Sequence, residues 1–320
     1  MNYKLKKISG DASFREFYRL KKGNKNTIIV KAKKEKFRNL ITYTIINKVL
    51  KENKIHAPKL ISNHYKHNMI EISDLGEKSF YDVIIKKKNK LRDYKKTIKI
   101  IFKLQKIKIK KNYSLGKYKI KLHKHSLKNL HKESDLFFDW YLKFCSKNLN
   151  IRKFKKIFKE ELNKIYKRLY FQNNTFVHKD FHASNIMINK KIFGLIDSQD
   201  AIVGNPLYDV ASLIDDVRIK LPNNLQNKLL KLYHSASKLK KEKYQNLKND
   251  FDILSIQRNL KILGIFYRLN KRDKKPQYLK YLPYTWKLIE LRMKNKIFKN
   301  LEKILLDVVS KELRKKGNFK

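Results

Sequence analysis

The sequence predicts an α+β chain in two lobes, a small antiparallel sheet lobe followed by a larger, mostly helical one. Three observations carry the prediction. Up to about residue 76, β-branched and aromatic residues recur in short runs around one helical stretch. Beyond about residue 78 the apolar residues fall at helical spacing instead. A strand-like interval, TFVHKDFHASNIMINKKIFGLIDSQD at 175–200, then interrupts the helices.

Taken in order, YKLKKI, FREFYRL and TIIVKA read as strands, and KKGNKN at 21–26 reads as a hairpin loop from its Gly and Asn. FRNLITYTIINKVLKEN at 37–53 is a helix that HAP at 56–58 stops. KLISNHYKHNMIEISDLG supplies two more strands about a polar turn, and the pattern changes near Leu75-Gly76. Helices are expected over 79–88, 91–109, 133–147, 152–171, 207–217, 224–239, 249–271 and 283–313. Within the interval, IMIN and IFGLID form a hairpin around Asn189-Lys190-Lys191. There is no internal repeat and no Pro-rich linker.

Composition narrows the function. The chain has 320 residues, 42% of them apolar, which is enough to build a core. One cysteine, Cys145, excludes a disulfide framework and a cysteine-rich zinc site and fits a reducing cytoplasm. The N-terminus lacks the apolar core of a signal peptide, and no window reaches the ~18 uncharged apolar residues of a membrane span. A cytoplasmic protein without a membrane partner is the expectation. Only eight glycines occur, with no G-x-G-x-x-G and no G-x-x-x-x-G-K-[ST], so neither a Rossmann fingerprint nor a Walker loop is present. The formal charge of +51 suits an anionic partner or substrate. The competing reading is compositional drift, because lysine is spread evenly and accompanies abundant Asn and Ile.

The chemistry concentrates in the interval. Four residues separate Asp180 from Asn185, a hairpin follows, and Asp197 ends its second strand. Phosphoryl transfer from ATP needs a carboxylate to orient the attacking hydroxyl and take its proton, and oxygen ligands for Mg²⁺. Asp180 suits the first role, Asn185 and Asp197 the second. His178 and His182 flank Asp180, so a transition-metal site is the alternative, although no third soft ligand is evident.

On these residues, HKDFHASN resembles the catalytic loop of the aminoglycoside phosphotransferase/choline kinase superfamily. IDSQDAIVGNPLYDVASLI resembles its metal-binding segment and the helix beyond it. GDASFREFYRL, ESDLFFDWYL and QRNLKILGIFYRLNKRDKKPQYLKYLP are similar to the branch of cell-wall amino-sugar kinases that phosphorylate the anomeric hydroxyl of N-acetylmuramate and N-acetylglucosamine. The resemblance spans nearly the whole chain and implies a protein-kinase-like fold. Residues 1–76 would be a nucleotide lobe with a hinge near 71–77, and 77–320 a helical catalytic and substrate lobe. It implies ATP and Mg²⁺ as cofactors and a small amino sugar as partner.

The resemblance also assigns residues. The nucleotide would meet Gly10, Asp11, Ser13 and Arg15 in the loop after the first strand, and hinge backbone starting at Glu71. Lys31 occupies the position of the general kinase lysine; the alternative is an exposed strand lysine. No acid lies within 37–50 to pair with it, and Glu35 is the nearest. Glu133 and Trp140 fall in the amino-sugar signature. Arg258 and Lys261 would reach an anionic group of the substrate or be solvated. His178, His182, Asp200 and Asp209 would support the loop from behind. The family's Asp-Phe-Gln-Asp reads Asp197-Ser198-Gln199-Asp200 here, which puts the local packing in question.

Physical chemistry also bears on other acceptors. A polycationic aminoglycoside wants an acidic cleft, which this basic chain opposes. Choline wants an aromatic cage that the sequence does not display. A basic pseudokinase that binds nucleic acid is the alternative of another class; retention of Asp180, Asn185 and Asp197 together argues against it.

Overall fold

A computed structural model describes residues 4–8, 15–23, 25–32, 37–145 and 150–316. The chain folds into two compact units, residues 1–123 with 175–203, and residues 124–174 with 204–320. The change of pattern at 76 falls inside the first unit. Residues 77–123 and the catalytic interval are therefore grouped with the sheet.

The first unit is built on strands β1 (Lys4–Ile8), β2 (Arg15–Lys22), β3 (Lys25–Ala32), β4 (Leu60–His64) and β5 (Met69–Ser73), with helix α1 (Arg38–Glu52) between β3 and β4. The strands form one antiparallel sheet in the order β1-β2-β3-β5-β4. Pairing of Arg15 with Ala32 and Phe17 with Val30 puts these four side chains on one face. Ala32, Val30, Ile28, Ile70 and Ile72 are buried there. Glu16 pairs with Lys31 on the opposite face.

Beyond the sheet come β6 (Lys78–Ser79), α2 (Phe80–Ile84), α3 (Leu91–Gln105) and a small hairpin, β7 (Tyr113–Leu115) with β8 (Tyr118–Ile120), turning at Gly116 with φ 54°. The reading of 91–109 as helix overshoots, and the hairpin was not expected. After β9 (Thr175–Val177), strands β10 (Ile186–Asn189) and β11 (Ile192–Leu195) pair as predicted, with Asn189 opposite Ile192 at the turn.

The second unit is helical: α4 (Leu127–Leu136), α5 (Lys143–Cys145), α6 (Ile151–Tyr166), α7 (Tyr208–Ile214), α8 (Asn223–Ala236), α9 (Tyr244–Lys271), α10 (Leu282–Met293), α11 (Lys299–Val308) and α12 (Lys311–Lys316). The helix expected from 133 starts at Leu127, because Ser126 and Asn129 cap each other's backbone N–H. The helix expected over 283–313 is three. The Asn295 side chain accepts from Ile297 N and ends the first of them. A π-helical stretch, Phe137–Leu142, carries Phe137, Phe138 and Tyr141 into the core, where Trp286 Nε1 donates to Tyr141 OH at 2.8 Å. Gly264 on α9 meets α4 so closely that a Cβ there would lie 2.1 Å from Leu136 O. Its place inside a helix is thus a packing requirement.

Candidate active site

The catalytic interval is held by its own backbone. Lys179 turns the chain at φ 78°, in the left-handed region that non-glycine residues rarely adopt. His182 N and the Asn185 amide (Nδ2) both donate to Asp180 O, at 3.0 Å each. Asn185 N donates to His182 O at 2.9 Å. The Asp180 carboxylate is not needed for these bonds and stays half-buried between buried His178 and Phe181. Asn185 is buried with its amide nitrogen used inside the loop, and its Oδ1 has no hydrogen bond among the described residues.

The hairpin returns the chain to the same place. Ile196 N donates to Asn185 O at 3.1 Å, and Leu195 N to His56 O at 2.8 Å. Gly194 lets the His56 segment approach, since a Cβ would fall 2.7 Å from the His56 ring. Asp197 then adopts φ 61° and ψ 42°, a second left-handed residue at the end of the hairpin. Such strain concentrates at functional positions. Burial and the Asp180 carboxylate push the Asp197 carboxyl up to about 6, against Arg15 and the Gln199 hydrogen bond. The two carboxylates are thus close enough to oppose each other's charge, and an oxygen-seeking cation would relieve both.

Arg15 is the cation the chain supplies there. Its side chain is 3% exposed, and Nη1 lies 3.7 Å from Asp197 Oδ1. Gln199 Oε1 accepts from Nη1 at 3.1 Å, and Asn39 Oδ1 from Nη2 at 3.3 Å. The guanidinium sits over the Tyr43 ring. Gln199 Nε2 in turn donates to Asp197 Oδ1 at 2.9 Å and to exposed Asp200 at 3.2 Å. Lys31 is not brought to this place: it is exposed on the far face of β3. In its first turn, where α1 has no acid, it offers Asn39.

Ser198 answers the packing question. It is fully buried and donates to Asn47 Oδ1 on α1 at 2.7 Å. Asn39, Tyr43 and Asn47 recur every four residues and so share one helical stripe. That stripe of polar groups in an apolar helix was readable in the sequence and was missed, as was Gln199. Glu71 has a structural task, with its carboxylate accepting from Thr27 OH at 2.6 Å and Ser62 OH at 3.3 Å. The segment after it is clasped by Arg19, which reaches Asp74 at 2.6 and 3.2 Å, Glu77 at 2.6 Å and Gly76 O at 3.0 Å. Gly10, Asp11 and Ser13 lie outside the described residues, as does Glu35. Among the described residues no three of His, Cys, Asp and Glu cluster as a metal site would need.

The remaining candidates belong to the second unit. Glu133 and Arg258 come together around Tyr208. Glu133 Oε2 accepts from Tyr208 OH at 3.0 Å and Gln257 Nε2 at 2.9 Å, and lies 3.5 Å from Lys261 Nζ. Its Oε1 is 3.4 Å from His125 Nε2. Arg258 sits over the Tyr208 ring at 5.7 Å. Trp140 does not join them; it stacks on Phe144 at 6.1 Å. Asp209 is buried in the first turn of α7.

A loop that presents a carboxylate, returned by a hairpin to an amide oxygen and a second carboxylate, is a phosphotransferase arrangement. The chain matches the phosphotransferase enzyme family over residues 4–245 and belongs to it. The N-acetylmuramate/N-acetylglucosamine kinase of Pseudomonas aeruginosa is 25% identical over 293 residues, covering 88% of this chain and 81% of that protein. A choline/ethanolamine kinase family protein from Mesorhizobium loti superposes with a TM-score of 0.62 at 11% identity, over 94% of this chain and 92% of that one. An ADP-bound aminoglycoside phosphotransferase gives 0.60 at 16%, over 89% and 92%. The fold is the kinase-like one of these enzymes. No helix among the described residues is long and apolar enough to cross a membrane.

Proposed function

We propose that the protein is an ATP-dependent sugar kinase that phosphorylates the anomeric hydroxyl of N-acetylmuramate, N-acetylglucosamine or both, a reaction suited to recovering cell-wall sugars. The observation that carries the reading is the convergence of Asp180, Asn185 and Asp197 within one unit, in a chain whose curated relative is a kinase for these sugars.

Asp180 orients the sugar hydroxyl and accepts its proton as the oxygen bonds to the γ-phosphorus and the bond to the bridging oxygen of ADP breaks. Asn185 Oδ1 and the Asp197 carboxylate are hard oxygen donors suited to Mg²⁺. Bound there, Mg²⁺ would neutralise phosphate charge. Arg15, fixed by Gln199 and Asn39, would hold a phosphate oxygen beside Asp197. Gly10, Asp11 and Ser13 would cover the phosphates, and the backbone from Glu71 to Gly76 would meet the adenine. His178, His182 and Asp200 would support the loop.

The test is ATP turnover with Mg²⁺ on N-acetylmuramate, N-acetylglucosamine, kanamycin, choline and no acceptor, with the product read by phosphorus NMR. An anomeric phosphate formed only with the sugars is the expected result. Turnover on kanamycin or choline alone would keep the kinase and discard the sugar.

A further inference from the structure

Ser198 and Asn47 form a buried polar pair that the proposed chemistry does not use. Both belong to the first unit, and the Ser198 hydroxyl donates to Asn47 Oδ1 at 2.7 Å across 151 residues of chain. Ser198 is fully buried and Asn47 is 2% exposed. The contrast with Thr44, on the same helix, is direct. Thr44 is also buried, but its hydroxyl donates to Leu40 O inside α1 at 2.8 Å. Thr44 is satisfied by its own helix, whereas Asn47 is committed to a distant segment. A buried hydrogen bond adds little net stability over an apolar pair of the same shape. What it adds is direction, which apolar contact lacks.

The segment that Asn47 holds begins one residue after Asp197. Asp197 is left-handed, and a non-glycine residue keeps that conformation only where its surroundings impose it. On one side, Ile196 N is tied to Asn185 O. On the other, Ser198 O accepts from Ala201 N at 3.2 Å, and the Ser198 side chain is tied to α1. Gln199 Nε2 adds its bond to Asp197 Oδ1. The Asn47 bond therefore fixes the turn to a helix at the residue beside the strained one. Tyr43, one turn before Asn47 on α1, lies close enough for the Asp197 charge and backbone to act on its hydroxyl.

We propose that Asn47 is a positioning residue which, through Ser198, holds Asp197 in the conformation that presents its carboxylate to Mg²⁺. The inference rests on the kinase reading, in which Asp197 and Asn185 take the metal. Metal affinity is then set in part by a helix residue that is not a ligand. The serine that stands where the family reads phenylalanine acquires a task, because Ser198 and Asn47 work only as a pair.

The experiment follows ADP binding by calorimetry, with and without Mg²⁺, in the wild type, Ser198→Ala, Asn47→Leu and the double variant, beside their melting temperatures. Each single variant should weaken Mg²⁺-dependent ADP binding about 10-fold, while metal-free ADP binding stays within about twofold. Each also strands one buried polar partner and should melt lower. The double variant removes both polar groups, so its melting temperature should recover while its Mg²⁺-dependent affinity stays low. A role in packing alone would return affinity together with stability. Ser198→Ala deletes a single oxygen, so the idea stays exposed to failure if Asn47→Leu does not fold. Full recovery of Mg²⁺-dependent affinity in the double variant, unchanged affinity in Ser198→Ala, or an equal loss with and without Mg²⁺ would overturn the role of Asn47 and leave the kinase intact. A wild type that binds ADP no better with Mg²⁺ than without it would overturn the assignment of Asp197 to the metal, and this inference with it.

Discussion

Two charge clusters, a buried one in the second unit and a half-buried one in the first, are built on opposite principles. In the second unit Asp215 receives both Arg292 bonds and the Ser255 hydroxyl, while Gln226 Oε1 accepts from Arg292 Nη2 at 2.9 Å. Asp252 completes the set through Lys248 at 2.5 Å and Asn295 at 2.9 Å. Each carboxylate there has its cation. In the first unit Asp180 and Asp197 oppose each other's charge with one offset arginine, 3.7 Å from Asp197. Burial first, and then the Asp180 charge, lift Asp197 to about 6. The second unit's network, in which each carboxylate has a cation although Asp252 Oδ1 takes no hydrogen bond, ties helices together; the under-compensated one is, on the proposed function, the place for a metal–phosphate ligand. The same residue types thus serve structure or chemistry according to whether the protein itself balances their charge.

Breaking the chemical cluster should have the largest effect on activity and little on folding. Asp180→Asn removes the carboxylate proposed to accept the proton but leaves the Asp180 carbonyl that ties the loop together. We expect kcat to fall about 10³-fold with no loss of melting temperature. A melting temperature that fell along with kcat would mean that Asp180 belongs to the structural kind of cluster. Arg292→Met makes the converse test. It strands Asp215 and Asp252 without their shared cation, at a cost of about 3–5 kcal/mol, or on the order of 10 °C in Tm. Nucleotide affinity measured below the transition should not move.

How much of this could be read beforehand divides along a similar line. Asp180, Asn185 and Asp197 were legible because their geometry is local, a loop and one hairpin within 18 residues. Arg15 and Lys31 were not separable, because which of them reaches Asp197 depends on strand register, and one residue's offset exchanges the faces of a sheet. The apolar alternation Ile28, Val30, Ala32 was a usable clue, since Lys31 lies between two inward residues. It was obscured by Ile29. The helix boundaries erred where a side chain rather than a pattern sets the end, at Ser126 and Asn295. The Glu133–Tyr208–Arg258 grouping joins three distant segments, and only the resemblance put Glu133 forward.

The Arg15–Lys31 contrast yields a smaller effect. Arg15→Gln should lower kcat/KM for ATP about 10- to 100-fold and weaken ADP binding in calorimetry, whereas Lys31→Gln should stay within about twofold. Equal losses in the two variants would mean that the exposed lysine reaches the nucleotide after all, and that burial on the inner face does not mark the phosphate cation.

The smallest effect probes the raised Asp197 carboxyl itself. A carboxyl raised from the ordinary value of 3.8 to about 6 binds its proton more tightly in the folded chain than in the unfolded one. The native state then loses stability as pH rises from about 4 through about 6, and above that range the charged Asp197 is a standing cost. Asp197→Asn removes that cost. Without metal, the variant should melt a few degrees higher than the wild type at pH 7.5, and the gap should close toward pH 5. Saturating Mg²⁺ with ADP should invert the order at pH 7.5, because only the wild type keeps the charged ligand. A variant less stable than the wild type at pH 7.5 without metal would mean that Arg15 and Gln199 already balance Asp197. The two clusters would then differ in location and not in principle.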